Sequence, residues 1–352
     1  MQRAVLLVTA LAASLTVPST SPAGADASGR VAGADRYATA AAVSAATFPA
    51  GVPAAFLVTG GSYPDALTAG PAAARAGGPV LLTGRDTLPA VTAAELDRLR
   101  PGRIVVVGGT GAVSESVRSA LERHTDGAVT RVSGADRYAT AAAVSAAAFE
   151  QATTVYVASG ERFPDALAGG PAAFRDGAPL LLVTAGGVPS TTAAEIRRLG
   201  ATRAVILGGT GSVGPGAESQ LRALVSDVVR VAGDDRFATS AAVALRTFAP
   251  GVATAYLATG AGFADALAAG AAAAVQGAPV LLVRGNCIPP SVNHALAHLR
   301  PSRTVLLGGT AVLGTGVERL GLCPYSGATL RTPAVATRPG PVWDQPAPDP
   351  HL

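Results

Sequence analysis

One ten-residue motif occurs three times in this chain, and that repetition limits the folds open to it. Arg30-Val-Ala-Gly-Ala-Asp-Arg-Tyr-Ala-Thr returns from Arg131 as Arg-Val-Ser-Gly-Ala-Asp-Arg-Tyr-Ala-Thr, and from Arg230 as Arg-Val-Ala-Gly-Asp-Asp-Arg-Phe-Ala-Thr. A second block, Tyr63-Pro-Asp-Ala-Leu, matches Phe163-Pro-Asp-Ala-Leu and Phe263-Ala-Asp-Ala-Leu. A third, Gly108-Gly-Thr, matches Gly208-Gly-Thr and Gly308-Gly-Thr. Asp65, Asp165 and Asp265 stand 100 residues apart. A unit of that size is a small domain rather than one turn of a solenoid.

Each unit reads as alternating strand and helix. Phe56-Leu-Val-Thr, Val80-Leu-Leu-Thr and Ile104-Val-Val-Val are short continuous apolar runs. Such runs are buried on both faces and belong to parallel sheets covered by helices. Asp35 and Asp65 each precede an Ala-rich run, as an N-cap would. Val117 and Leu121 share one helical face. Together these features predict an α/β fold built from βαβ units in a doubly wound sheet. A strand carrying the repeated Arg precedes each later unit, as in Val129-Thr-Arg-Val, and residues 328–331 repeat it after the third. These strands are expected to seal each unit against the next.

The N-terminus predicts export. Arg3 supplies a positive start, residues 4–17 form an apolar run, and Ala23-Gly-Ala or Ala25-Asp-Ala offers a cleavage site. That run is short for a membrane span, and Gly, Pro or Arg breaks each later apolar run. The expected divisions are a signal peptide at 1–27, units at 28–130, 131–229 and 230–332, and a disordered Pro-rich tail at 333–352. In an exported chain the two cysteines, Cys287 and Cys323, read as one disulfide. His294 and His298 lie nearby and leave a Cys/His zinc site as the other reading, although the spacing fits no standard pattern.

Charge excludes one class of partner. All 27 basic residues are Arg, yet the formal net charge is only +4. Nucleic-acid binding needs a denser basic stripe, so none is expected. The triplicated polar residues are the candidates for binding: Arg36, Arg137 and Arg236; Asp65, Asp165 and Asp265; Thr110, Thr210 and Thr310. Arg suits bidentate contact with carboxylate or phosphate, but it can equally bridge neighbouring units. The Asp residues can act as helix caps alone. The Gly-Gly-Thr loops, set between strand and helix, can form an anion cradle or simply a tight turn. No His or Cys recurs in all three units, so neither a hydrolytic triad nor a cofactor or metal site is expected.

These blocks together resemble the cell wall binding repeat type 2 family. Its Arg-x-x-Gly-x-Asp-Arg-Tyr-x-Thr-Ala start, Phe-Pro-Asp-Ala-Leu centre and Gly-Gly end stand here three times between Arg30 and Arg331. The resemblance implies three Rossmann-like or Toprim-like units about a pseudo-threefold axis. It also implies non-covalent, non-catalytic attachment to an anionic polysaccharide or teichoic-type polymer of the Gram-positive wall. The protein would then be secreted and wall-associated, with no membrane contact after signal cleavage. Family members often carry an effector domain; this chain is expected to lack one. Two other readings stay open: an exported wall hydrolase of the amidase kind, and a receptor for nucleotides or sugar phosphates using the Gly-Gly-Thr loops. The third unit departs from the pattern, with Ala264 for Pro, Phe237 for Tyr and Ala295 where Glu95 and Glu195 stand. It is expected to bind differently or to serve as a closing unit.

Overall fold

The computed structural model describes residues 29–62, 64–162 and 164–324. The signal-peptide segment, the strand copy at 328–331, the tail, Tyr63 and Phe163 lie outside the described residues. Strand and helix alternate, save that one helical position of the second unit is split into two consecutive helices. The first unit runs β1 (Gly29–Val31), α1 (Arg36–Thr47), β2 (Ala55–Thr59), α2 (Pro64–Arg75), β3 (Val80–Thr83), α3 (Ala90–Leu99), β4 (Ile104–Val107) and α4 (Glu115–Leu121). The second continues with β5 (Val129–Val132), α5 (Arg137–Ala148), β6 (Thr154–Ser159), α6 (Pro164–Leu167), α7 (Gly169–Arg175), β7 (Leu180–Val183), α8 (Ser190–Arg198), β8 (Arg203–Leu207) and α9 (Pro215–Leu224). The third comprises β9 (Asp227–Val231), α10 (Arg236–Thr247), β10 (Thr254–Thr259), α11 (Ala264–Val275), β11 (Val280–Val283), α12 (Pro290–Leu299), β12 (Arg303–Leu307) and α13 (Thr315–Glu318).

The apolar runs became buried parallel strands, as their composition requires. Every residue of β2, β3 and β4 is buried because helices cover both faces of the sheet. The three sheets run β3-β2-β4-β5, β7-β6-β8-β9 and β11-β10-β12-β1. The repeated Arg strand therefore leaves its own unit and completes the sheet of another. Arg131 lies opposite Val106 and Arg230 opposite Ile206. β1 closes the ring by pairing with β12, Arg30 opposite Leu306. The edge place beside β12 is thus filled by the first copy of this strand.

Around the common axis stand α2, the α6–α7 pair and α11, whose sequences are rich in Ala and Gly. Small side chains let these helices meet almost backbone to backbone. A Cβ placed on Gly70 would lie 3.8 Å from the backbone of Gly270. Ala66, Ala72, Ala166, Ala172, Ala266 and Ala272 are all buried here in one core shared by the three units. Units two and three have further, separate cores under their outer helices, around Ile196 and Leu221 and around Val292 and Leu313.

One expected cap is corrected. Asp35, Asp136 and Asp235 do cap their helices, each accepting a backbone N–H at 2.8 Å. Asp65 does not cap: α2 already starts at Pro64, so Asp65 lies inside the first turn. In unit three the cap position is Phe263, two residues further out than Asp265. Pro64 is suited to the first helical position, which moves the helix start outward and frees the carboxylate for another contact.

Candidate functional site

The triplicated motif is one rigid corner. In unit one, Asp35 caps α1, and the Thr39 hydroxyl accepts the Gly33 N–H at 3.1 Å. A Cβ on Gly33 would come within 2.3 Å of the Ala38 Cβ, so only glycine lets strand and helix meet this closely. Thr140 and Thr239 take the same bonds from Gly134 and Gly233. With the corner locked, Arg36 projects from the start of α1 and its Nη1 donates to the Gly60 carbonyl at 2.5 Å. Arg137 and Arg236 donate likewise to Gly160 and Gly260.

The Gly-Gly-Thr loop is held from the neighbouring strand. The Gly108, Gly208 and Gly308 N–H groups donate to Val132, Val231 and Val31 respectively, each at 2.9 Å. The first Arg of each motif copy returns the contact. Arg131, Arg230 and Arg30 donate to the carbonyls of Gly108, Gly208 and Gly308 at 2.8, 2.7 and 2.7 Å. These arginines were not singled out from the sequence as site-building residues. Their threefold recurrence was the signal, and their position on a strand disguised it.

The central Asp completes the site. Gly108, Gly208 and Gly308 have positive φ of 106°, 99° and 103°. A Cβ on each would fall within 2.7, 2.3 and 2.5 Å of an oxygen of Asp65, Asp165 and Asp265. The loops thus need glycine twice, for backbone shape and for room. A carboxylate already stands against this first glycine, which works against a phosphate cradle there. Thr110, Thr210 and Thr310 sit exposed at the loop tips.

The arginine that meets each Asp comes from a different unit. Burial pushes the Asp65 carboxyl up from its ordinary range, and Arg137 with the Thr140 hydroxyl partly offsets this. Burial also raises Asp265, with Arg36 opposing. Arg36 additionally lies over the Phe263 ring, 5.9 Å from its centre. Each site is therefore composite: an Asp and a Gly-Gly-Thr loop from one unit, an Arg and a capping Asp from the next. At the second junction the cleft is about 310 Å³, lined by Arg162, Asp165, Ser212, Asp234 and Arg236 among others. Here Ser212 Oγ donates to Asp165 at 2.8 Å, a bond that Ala112 and Val312 cannot make in the other units.

The remaining candidates fall outside these clefts. Cys287 and Cys323 form a disulfide across 36 residues, so neither thiolate is available to a metal. His124 is buried, with Nδ1 2.5 Å from Asp97, and Arg123 donates to its Nε2 at 3.2 Å. Among the described residues no cluster of His, Cys, Asp and Glu fits a metal ion, and no helix is long and apolar enough to cross a membrane.

Comparison with known proteins gives the architecture a context. Residues 30–118, 131–218 and 230–318 each match the family described as Cell wall binding domain 2 (CWB2). The chain is 28% identical over 301 residues to the N-acetylmuramoyl-L-alanine amidase LytC of Bacillus subtilis (strain 168), covering 86% of this chain and 59% of that protein. Among solved structures it resembles Cwp6 from Clostridium difficile, with a TM-score of 0.78 and 26% identity, covering 84% of this chain and 48% of that one. It also resembles Cwp8 from the same organism, with a TM-score of 0.76 and 26% identity, covering 83% and 51%. The chain thus spans only about half to three-fifths of the length of these relatives.

Proposed function

The chain belongs to the Cell wall binding domain 2 family, and from that premise we propose that its three junction clefts hold an anionic polymer of the Gram-positive wall without covalent attachment and without catalysis. One observation carries the reading: an Asp beside the Gly-Gly-Thr loop of one unit meets an Arg of the next at all three junctions, Asp65 with Arg137, Asp165 with Arg236 and Asp265 with Arg36. A repeating polymer can engage several such sites. The later contacts are then intramolecular, and avidity exceeds single-site affinity by about 10²–10⁴. Each guanidinium has five donors and spends Nη1 on a glycine carbonyl, which fixes its direction and leaves other donors for a polymer oxyanion.

The non-catalytic part of the reading rests on what the reactive residues already do. The cysteines are bonded to each other, and His124 is buried against Asp97 and Arg123. The N-terminal sequence supports export, and the protein would be retained at the wall by these units.

Co-sedimentation with purified walls tests the proposal, before and after acid extraction of secondary polymers. Retention should be lost after extraction and should weaken with salt, because exposed charge contacts are screened. Arg36→Ala alone should weaken retention several-fold, and Arg36→Ala with Arg137→Ala and Arg236→Ala should abolish it. A triple variant with an unchanged unfolding transition that still sediments with walls would remove these arginines from the site.

A further inference from the structure

A second kind of cavity lies at the junction of units one and two, away from the composite clefts. It is a half-open pocket of about 460 Å³, within the ordinary size of small-molecule sites. Buried Phe56, Ala72, Val105 and Val144 form its inner wall. Exposed Arg75, Arg103 and Thr130 stand at its mouth.

The other two junctions carry larger, hydrogen-bonded side chains at the matching positions. At the second junction Tyr156 takes the place of Phe56, and its hydroxyl donates to Asp176 at 2.8 Å. At the third, Tyr256 donates to Gln276 at 2.8 Å, and Gln276 Nε2 donates to Thr47 at 3.2 Å. At the first junction the matching residues are Phe56, Ala76 and Ala148. All three truncations fall at one place, and the space they vacate is the cavity.

The same junction releases an arginine. Arg203 lies 3.3 Å from the Asp227 carboxylate, and Arg303 Nε donates to Thr254 at 2.9 Å. Arg103 occupies the equivalent position, but Ala128 and Ala54 replace those partners. No hydrogen bond or ion pair engages the Arg103 side chain among the described residues. Arg75 is only partly committed: its Nε donates to the Ala148 carbonyl at 2.9 Å, and the guanidinium lies over Phe149. The result is an apolar chamber with cationic donors at its mouth and no carboxylate in its lining.

We propose that this cavity binds a small amphipathic carboxylate, its headgroup on Arg103 and Arg75 and its hydrocarbon body against Phe56, Val105 and Val144. The proposed contacts, Arg75, Arg103, Phe56, Val105 and Val144, are not those of the composite clefts; the two sites share only the strand residue Val132, which lines the cavity and accepts the Gly108 N–H. A guanidinium–carboxylate pair supplies direction and strength, and burial of the hydrocarbon part supplies the remainder.

Calorimetric titration of the full chain tests this, with octanoate as the probe, octylamine as a cation-headed control and acetate as a headgroup-only control. Octanoate should bind saturably at one site and raise the unfolding temperature with concentration, while octylamine and acetate should not. Arg103→Ala should weaken octanoate about tenfold through loss of a charged hydrogen bond. Refilling the cavity with the third junction's residues, Phe56→Tyr, Ala76→Gln and Ala148→Thr, should abolish binding without lowering the unfolding temperature. If the triple variant does not fold, Ala148→Thr alone serves, and should weaken binding as a partial plug. Absence of saturable octanoate binding would overturn the proposal. So would equal binding of octylamine, or undiminished binding by a folded, refilled protein.

Discussion

Units one and two hold their outer helix with a buried carboxylate, whereas unit three uses a covalent bond. In unit one Glu95 is buried on α3 and accepts from Arg98 Nε and Nη2 at 2.8 and 2.7 Å, while Arg98 also donates to the Phe48 carbonyl. Unit two repeats this with Glu195, Arg198 and Phe149. The clamp ties the helix that follows the third strand to the end of the unit's first long helix, α1 in unit one and α5 in unit two. Unit three has Ala295 and His298 instead and cannot form it. Its last helix, α13, is only four residues long, against ten for α9. The chain then turns back, Ile288 and Leu322 pair as an isolated bridge, and Cys287 bonds to Cys323. A unit with a weaker outer layer has gained a crosslink at that layer. The two solutions act on different states: the ion pair stabilises the folded arrangement, and the disulfide restricts the unfolded chain.

The largest effect should come from removing that crosslink. Cys287→Ala with Cys323→Ala should cost about 3–4 kcal/mol in the chain-entropy picture for a loop of 36 residues. Urea unfolding with and without a reductant measures it. If both transitions coincide, unit three does not depend on the disulfide and the comparison breaks.

Removing Glu95 should rank next. Glu95→Ala leaves Arg98 with the Phe48 carbonyl but without its carboxylate, and because that side chain is 37% exposed, water takes up part of the loss. A cost of about 2 kcal/mol is expected. Adding Arg98→His to reproduce unit three's pair should recover some of it. A double variant no more stable than the single one would show that the arginine does not matter once the carboxylate is gone.

A smaller, pH-dependent effect should separate the junction carboxylates from ordinary surface acids. Asp65 and Asp265 have raised values because they are buried. An acid whose folded value is raised favours the protonated folded form. Its contribution is therefore present below the unfolded value of 3.8 and is lost as pH rises through the folded value. Asp65→Asn should become progressively more stable relative to the parent as pH increases across that window. Thermal unfolding at a series of pH values checks the sign, and a flat difference would contradict the burial argument.

The smallest effect tests the one junction with an extra hydrogen bond. Ser212→Ala should make the second junction resemble the first and cost about 1 kcal/mol or less. Wall retention of this variant should stay within twofold of the parent. A large loss of retention would identify the second cleft as the dominant site.

Much of this molecule was legible in local chemistry. The apolar runs at 56–59, 80–83 and 104–107 could hardly be anything but buried parallel strands, and they are. Asp35, Asp136 and Asp235 cap helices because a short acidic side chain beside free N–H groups has that use wherever the chain goes. The pairing of Cys287 with Cys323 followed from there being only two cysteines. Other features were decided only by packing in three dimensions. Asp65 lies inside its helix and faces an Arg from the next unit, which no spacing along the chain announces. β1 crosses from the first unit to close the third sheet, 276 residues away at its Gly29–Val305 contact. The cavity at the first junction comes from truncations on β2, at the end of α2 and at the end of α5, unremarkable separately and adjacent only after folding. Helix, strand and cap depend on neighbours a few residues apart, so sequence period and side-chain type determine them. The junctions depend on how closely Ala- and Gly-rich helices approach around the axis, and only the tertiary packing sets that distance and rotation.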